Sequence, residues 1–417
     1  TPGLSSGDWN EFCSRFHFPP DDLPHIQAIY TALLPLVESY AYYSLDQDLD
    51  GVSLPHYAYG FVTLGNGVDE LSELYLNHEQ IQEAYIVDCI SLMLLSKAYE
   101  EFAKKAPEIW GFLYKNSEKG IISKLSSDSN KLMALKLEKL LQDFNPDYVI
   151  STHPFSSQMC AYLKKKNKVA FKLATIMTDY APHEQWMVYP EYVDYFFVAH
   201  FGMKEALMAK GIDPNKIFAT GIPLSNRFLE HYNKNEILSE FGLNHNKKTI
   251  LFFAGGEFGL GKSTTIDILK SLAVDFENLQ IVAIAGKNKN MKEHFEEIAG
   301  NISSGNLIKV LAYTNKVPEL MSVSDLVVTK PGGLTTTESL ASGLPIIVIN
   351  PIPGQEEENA EFLENSGAAI WIKKDDNVKE KLSYIFSNPE KMKDMKIKAK
   401  LLAKKHSTKD ICETILK

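Results

Sequence analysis

Leu326-Val327-Val328-Thr329-Lys330-Pro331-Gly332-Gly333-Leu334-Thr335-Thr336-Thr337-Glu338 packs a strand, a bend and a helix start into one short stretch. The apolar, β-branched run 326–329 reads as a buried strand. Two glycines let the backbone turn sharply and approach a ligand with no Cβ in the way. The hydroxyl residues behind them open a helix, whose free N–H groups and positive dipole end suit an anion. Glu338 falls about one turn in, where a carboxylate can accept hydrogen bonds from two vicinal ribose hydroxyls. Further on, Pro351-Ile352-Pro353-Gly354-Gln355-Glu356-Glu357-Glu358-Asn359 leaves the next strand and enters another helix. That puts Gln355 and Glu356 at the same end of the sheet, where amide and carboxylate groups can read sugar hydroxyls.

The same strand–turn–helix rhythm runs outward in both directions. Thr249–Ala254, Gln280–Ala285, Leu307–Ala312, Leu326–Thr329, Pro345–Ile349 and Ala368–Ile372 form one series of short apolar runs, each followed by a helix-length segment. Asp147–Ser151, Phe171–Met177, Tyr195–Ala199 and Ile217–Thr220 form an earlier one. Near-continuous apolar strands alternating with helices predict parallel sheets covered on both faces. A polar stretch, 226–248, separates the series and suits an interdomain connection. The fold class is therefore α/β, with two doubly wound Rossmann-like domains facing a cleft, where ligands gather at the carboxyl ends of the strands.

Of 417 residues, 45% are apolar and 23% charged, which excludes a disordered or collagenous chain. The longest apolar runs fall far short of the roughly 18 residues a transmembrane helix needs, and no charged-then-apolar leader is seen. Cys13, Cys89, Cys160 and Cys412 are scattered, with no CxxC pair, and read as small apolar residues of a reducing compartment. The net charge of −10 is uneven: residues 1–104 hold 16 acidic and 3 basic side chains, a net of −13, and the rest is +3. Such a step marks a module boundary. The expected organisation is an acidic, mostly helical module over 1–104, an acceptor-side domain over 105–230 and a donor domain over 231–417. Within the first, helices are expected over 24–44 and 78–104, with a strand at 59–63.

Three motifs point elsewhere. Residues 256–263, GEFGLGKS, fit the phosphate-loop pattern GxxxxGK[ST] after a strand and before a helix, which makes an NTPase a rival. That chemistry also needs an acid ending a second strand to hold Mg²⁺, and the strands ending near Gly286-Lys287 and Lys330 supply none. Asp46-Gln47-Asp48-Leu49-Asp50-Gly51 imitates a calcium loop, but its twelfth position is Tyr57 rather than a bidentate Glu. Lys164-Lys165-Lys166 fits either a solvated helix C-terminus or attraction to anionic lipid. The acidic balance, without basic patches interleaved with aromatics, gives nucleic-acid binding no support.

KPGGLTTTES, the GLP at 343–345 and NPIPGQEEENAEFLENSGAA resemble monogalactosyldiacylglycerol synthases and bacterial diacylglycerol glucosyltransferases. The likeness extends back through Val149–Pro154, Met177-Thr178-Asp179 and Gly221-Ile222-Pro223 and covers roughly 106–417. It implies a GT-B glycosyltransferase that inverts the anomeric centre, moving a hexose from UDP-glucose or UDP-galactose to a diacylglycerol-type lipid. It further implies a peripheral protein on the anionic, cytoplasmic face of a membrane, with no metal and no cofactor beyond the donor. Carried over by position, Gly332 and Gly333, with Thr335 at the helix start, face the diphosphate. Glu338 holds the ribose, and Gln355 and Glu356 hold the sugar. Tyr313 and Thr314 cover the uracil, while Gly255 and Gly256 complete the phosphate wall. His153, Asp179 and His183, at or just beyond first-domain strand ends, are the candidates for the general base.

The family's first strand runs into a GxGH loop whose His is a leading candidate for that base. Here the counterpart is Gly65-Asn66-Gly67-Val68, and Val68 cannot take a proton. Residues 61–69, with the segment through Cys89, instead resemble activation-domain proteins of cobalamin-dependent methionine synthase. Either a foreign module replaces the opening of the acceptor domain or that opening has diverged. The first case leaves a non-catalytic nucleotide-sugar binding protein as the alternative.

Overall fold

The computed structural model describes residues 145–254, 262–286, 288–302 and 304–416, the strand 84–86 and a few helical positions between 134 and 142. The expected elements over 24–44 and 59–63, the Asp46 and Gly65 loops, Cys13, Cys89, Gly255, Gly256 and most of the phosphate-loop motif lie outside the described residues.

The first sheet runs β1 (Ala84–Ile86), β2 (Tyr148–Ser151), β3 (Lys172–Ile176), β4 (Tyr195–Phe197) and β5 (Ile217–Phe218), in that order and all parallel. Helix α1 (Pro154–Lys165) follows β2 and α2 (Phe201–Ala209) follows β4. A short helix, α3 (Lys234–Glu240), leads to the second sheet. There β6 (Lys248–Phe253), β7 (Leu279–Ile284), β8 (Leu307–Leu311), β9 (Leu326–Thr329), β10 (Ile346–Ile349) and β11 (Ala369–Ile372) alternate with α4 (Lys262–Val274), α5 (Lys289–Gly300), α6 (Val317–Val323), α7 (Gly333–Ala341) and α8 (Gln355–Asn365). Helices α9 (Val378–Phe386), α10 (Pro389–Leu402) and α11 (Ser407–Leu416) close the chain.

The continuous apolar strands are buried on both faces, as two-sided helix cover requires. In β9, Leu326 and Val328 enter one core and Val327 the other; in β10, Ile347 and Ile349 oppose Ile346 and Val348. Cys160 and Cys412 are buried and, among the described residues, form no disulfide.

Two expectations need correction. Residues 84–86 form a strand inside the segment 78–104, which reads as a helix by composition. Tyr85 and Ile86 are strand formers, and the open edge of β2 satisfies their backbone groups. The acidic module therefore lends a strand to the first sheet, because a charge step reports surface composition and strand pairing sets the fold boundary. The polar stretch 226–248 joins the two sheets as a packed segment: Ile237, Leu238, Phe241 and Leu243 are buried and Arg227 pairs with Glu319 at 2.9 Å. Finally, the donor domain does not keep its own C-terminus. Ile411, Cys412 and Ile415 of α11 pack on Ile150, Ala174, Ile176 and Phe197 of the first sheet. Ser407 donates to the Ile222 carbonyl at 2.6 Å, and the Leu224 amide donates to Thr408 Oγ1 at 2.9 Å.

Candidate active site

In the second sheet the strand order is β11-β10-β9-β6-β7-β8. The chain winds one way from β6 and the other way from β9, so the switch point lies between these two neighbours, where doubly wound sheets take their ligands. The glycine bend occupies that position. Gly332 is the N-cap of α7, and a Cβ added to it would meet nothing within 4 Å. Gly333 is different: a Cβ there would stand 1.8 Å from the Thr178 carbonyl oxygen of the first domain. One glycine faces open space, and the other is required by contact across the cleft. Thr335 is half-buried in the first turn of α7, and Glu338 is buried on the next.

Asp179, just past β3, gathers a polar cluster. Trp186 Nε1 donates to its Oδ2 at 2.9 Å, His183 Nε2 lies 3.3 Å from the same oxygen, and Gln355 of the second domain donates to Oδ1. Burial alone would raise this carboxyl, but His183, Gln355 and Trp186 hold it below its usual range. His153 caps α1, its Nδ1 accepting from the Phe155 amide at 3.3 Å. Burial lowers its pKa to about 4, with Asp179 opposing and His183 assisting. The three base candidates, drawn from two separate loops, thus form one electrostatic group.

Tyr180 bolts the domains together beside this group. Its amide donates to Asn359 Oδ1 at 2.7 Å, its hydroxyl shares a hydrogen bond with Thr337 at 2.8 Å, and its carbonyl lies 2.9 Å from His200 Nε2. The His200 ring stacks on Phe362 with centroids 4.2 Å apart.

At the far side of the glycine bend, Lys330 is 8% exposed at the end of β9, within the field of Glu356. Burial lowers the Lys330 pKa against the pull of Glu356, and burial raises the Glu356 carboxyl against Lys330 and the Ile352 amide. That amide donates to Glu356 Oε2 at 2.6 Å. Sequence reasoning overlooked Lys330, although a lysine directly before Pro-Gly-Gly at a strand end was a visible signal. It also overlooked Trp186, Tyr180 and Asn359, whose roles come from contacts made across the fold. Tyr313 stands 71% exposed just after β8, and the Thr314 hydroxyl accepts from the Lys316 amide at 3.1 Å.

The family model for monogalactosyldiacylglycerol (MGDG) synthase matches residues 75–224, and that for the glycosyltransferase family 28 C-terminal domain matches 251–415. The processive diacylglycerol beta-glucosyltransferase of Bacillus pumilus is 35% identical over 283 residues, 67% of this chain and 71% of that protein. Its counterpart in Bacillus subtilis is 33% identical over 282 residues, 68% and 72% of the two chains. The chain belongs to the MGDG synthase and diacylglycerol glucosyltransferase family. Within that family the match begins at residue 75, well before the charge step at 104, and it spans the phosphate-loop motif, so the NTPase alternative is not favoured. Among solved structures, the S. aureus MnaA–UDP co-structure superposes with a TM-score of 0.55 at 16% identity, covering 80% of this chain and 94% of that one. Acinetobacter baumannii MurG gives 0.52 at 16%, covering 69% and 78%. At that identity these likenesses establish the two-domain GT-B fold alone.

Proposed function

We propose that this chain transfers a hexose from a UDP-sugar to a diacylglycerol-type lipid with inversion at the anomeric carbon, working at the cytoplasmic face of an anionic membrane. Family membership supports the substrate classes, and the cluster around Asp179 supports catalytic competence. Gly332, the α7 N-terminus and Lys330 receive the diphosphate, Glu338 the ribose, and Tyr313 with Thr314 the uracil. Charge moving onto departing UDP meets amides and a cation fixed in place beforehand, which is how preorganised sites stabilise a leaving group.

His183 is the general base. Asp179 is a poor proton acceptor because its donors already hold it ionised. His153 has Nδ1 committed to a helix cap, so it carries its proton on Nε2 and donates. In His183, Nε2 faces Asp179 at 3.3 Å; the carboxylate orients the ring and stabilises the imidazolium that forms when His183 takes the acceptor hydroxyl's proton, with Asp179 as the positioning residue. This carboxylate–imidazole pair supplies in another place what Val68 cannot. Gln355 and Glu356 read the sugar, and Gln355 joins donor recognition to the base through Asp179.

The test supplies UDP-glucose or UDP-galactose and diacylglycerol vesicles to the purified full chain and measures UDP release and glycolipid formation. Turnover with either donor that His183→Gln lowers by about 10²–10⁴-fold, with UDP binding retained, is the expected result. UDP binding without turnover in the parent protein selects the non-catalytic binding protein instead.

A further inference from the structure

We infer that the C-terminal end of α10 and the start of α2 form the surface that seats this protein on an anionic lipid bilayer. This inference rests on the acceptor being a membrane lipid. Helix α10 turns Met392, Met395 and Ala399 into the core, yet Ile397 and Leu401, four residues apart on the opposite face, are 48% and 73% exposed. Phe201, the first residue of α2, is 62% exposed. Large apolar side chains exposed on one helix face, as Ile397 and Leu401 are, mark an interaction surface.

Charge selects the partner. Residues 397–405, Ile-Lys-Ala-Lys-Leu-Leu-Ala-Lys-Lys, hold four lysines and no carboxylate. Among the described residues Lys398, Lys400, Lys404 and Lys405 form no ion pair, whereas Lys393 pairs with Glu390 and Lys396 with Asp325. Helix α2 adds Lys204 and one carboxylate, Glu205. Apolar side chains ringed by uncompensated cations fit a negatively charged bilayer surface.

The two segments meet where α10 has ended and α2 begins. The Lys404 ammonium is close enough to His200 to oppose protonation of its ring, and Lys404 Cβ would meet a Cβ on Gly221 at 2.4 Å. His200 in turn contacts the Tyr180 carbonyl, next to Asp179. Lys404, at one end of the patch, is thus linked through His200 to the backbone beside Asp179. The lysine run at 164–166 is spent elsewhere. Lys164 pairs with Asp194, Lys165 lies 4.4 Å from the Tyr189 ring centre and Lys166 5.7 Å from that of Tyr162.

Co-sedimentation of the full chain with vesicles of phosphatidylglycerol and phosphatidylcholine, against phosphatidylcholine alone, tests the assignment. The parent protein should prefer the anionic vesicles. Changing Lys398, Lys404 and Lys405 to Gln together should weaken that binding by about a hundredfold, since each cation near such a surface is worth about a fivefold change. Phe201→Ser with Leu401→Ser should weaken it at least about tenfold. Changing Lys164, Lys165 and Lys166 to Gln should leave it unchanged. UDP binding by calorimetry should be retained in every variant, which reports folding and keeps the donor site separate. Patch variants that sediment like the parent, a loss confined to the 164–166 variant, or a parent that ignores anionic vesicles would each overturn the assignment. Transfer to detergent-dispersed diacylglycerol by that last protein would leave the transferase function standing while the membrane surface fell.

Discussion

A single methyl group at Gly333 offers a sharp probe of how the two domains make one site. In Gly333→Ala the new Cβ would stand 1.8 Å from the Thr178 carbonyl oxygen and 2.9 Å from its carbon. Both atoms are backbone, so no side chain can swing aside. Relief to a 3.0 Å contact requires about 1.2 Å of separation between α7 and the loop after β3. Thr178 leads directly into Asp179 and Tyr180, whose bonds to Asn359 and Thr337 are 2.7 and 2.8 Å long. Lengthened by that amount, neither remains a hydrogen bond. At about 1 kcal/mol each, losing these two and the Gln355–Asp179 bond loosens the closed arrangement by about 3 kcal/mol. Misplacing reacting groups by about 1 Å costs on the order of 10²-fold in rate. The expected result is a fall of that size in kcat/KM for transfer, faster amide exchange at 178–180 and a larger radius of gyration, with UDP affinity nearly preserved. Gly332→Ala is the control: its Cβ meets no protein atom within 4 Å, so it keeps the domains closed and obstructs only the proposed diphosphate. Parental kcat/KM and exchange in Gly333→Ala would refute the reasoning, as would a greater opening in Gly332→Ala.

Glu338→Ala should abolish UDP-sugar binding by calorimetry while the circular dichroism spectrum is unchanged, because the carboxylate is the group proposed to hold the ribose. His153, held at a pKa of about 4 against 6.5 unfolded, binds its proton more readily in the unfolded chain. Stability from this group is full above pH 6.5 and is lost as pH falls towards 4, by about 1–3 kcal/mol in total. His153→Asn, which retains a helix-capping side chain, should flatten that part of the pH–stability curve measured by urea unfolding. Asp179→Asn should lower kcat more than it raises KM for the donor, with a shifted Trp186 fluorescence maximum reporting the altered cluster. Ile411→Ala should cost about 2–4 kcal/mol and unfold the first domain preferentially, observed as selective loss of amide protection in β2 to β4.

The apolar runs 326–329 and 345–349 are so uninterrupted that only a strand covered on both faces accommodates them, which is why the parallel sheets and their order of appearance were legible in one dimension. The glycine bend was legible too, since conformational freedom at Gly332 and Gly333 is a property of the residue. What the two glycines do differently was not, because that depends on Thr178, distant in the chain and brought up by domain closure. The same holds for the base: His153, Asp179 and His183 can each be picked as polar residues at strand ends, but choosing among them needs the Phe155 amide, the Trp186 indole and Gln355 in position. Charge misled at the front of the chain, where backbone pairing drew residues 84–86 into the first sheet. The strand–helix rhythm misled at the end, where α11 follows the donor-domain series in the chain yet packs its apolar residues on the first sheet. Local backbone preference and burial pattern are written residue by residue; which surfaces meet is decided by the free energy of the whole assembly, and the proposed chemistry of this protein sits where two of them do.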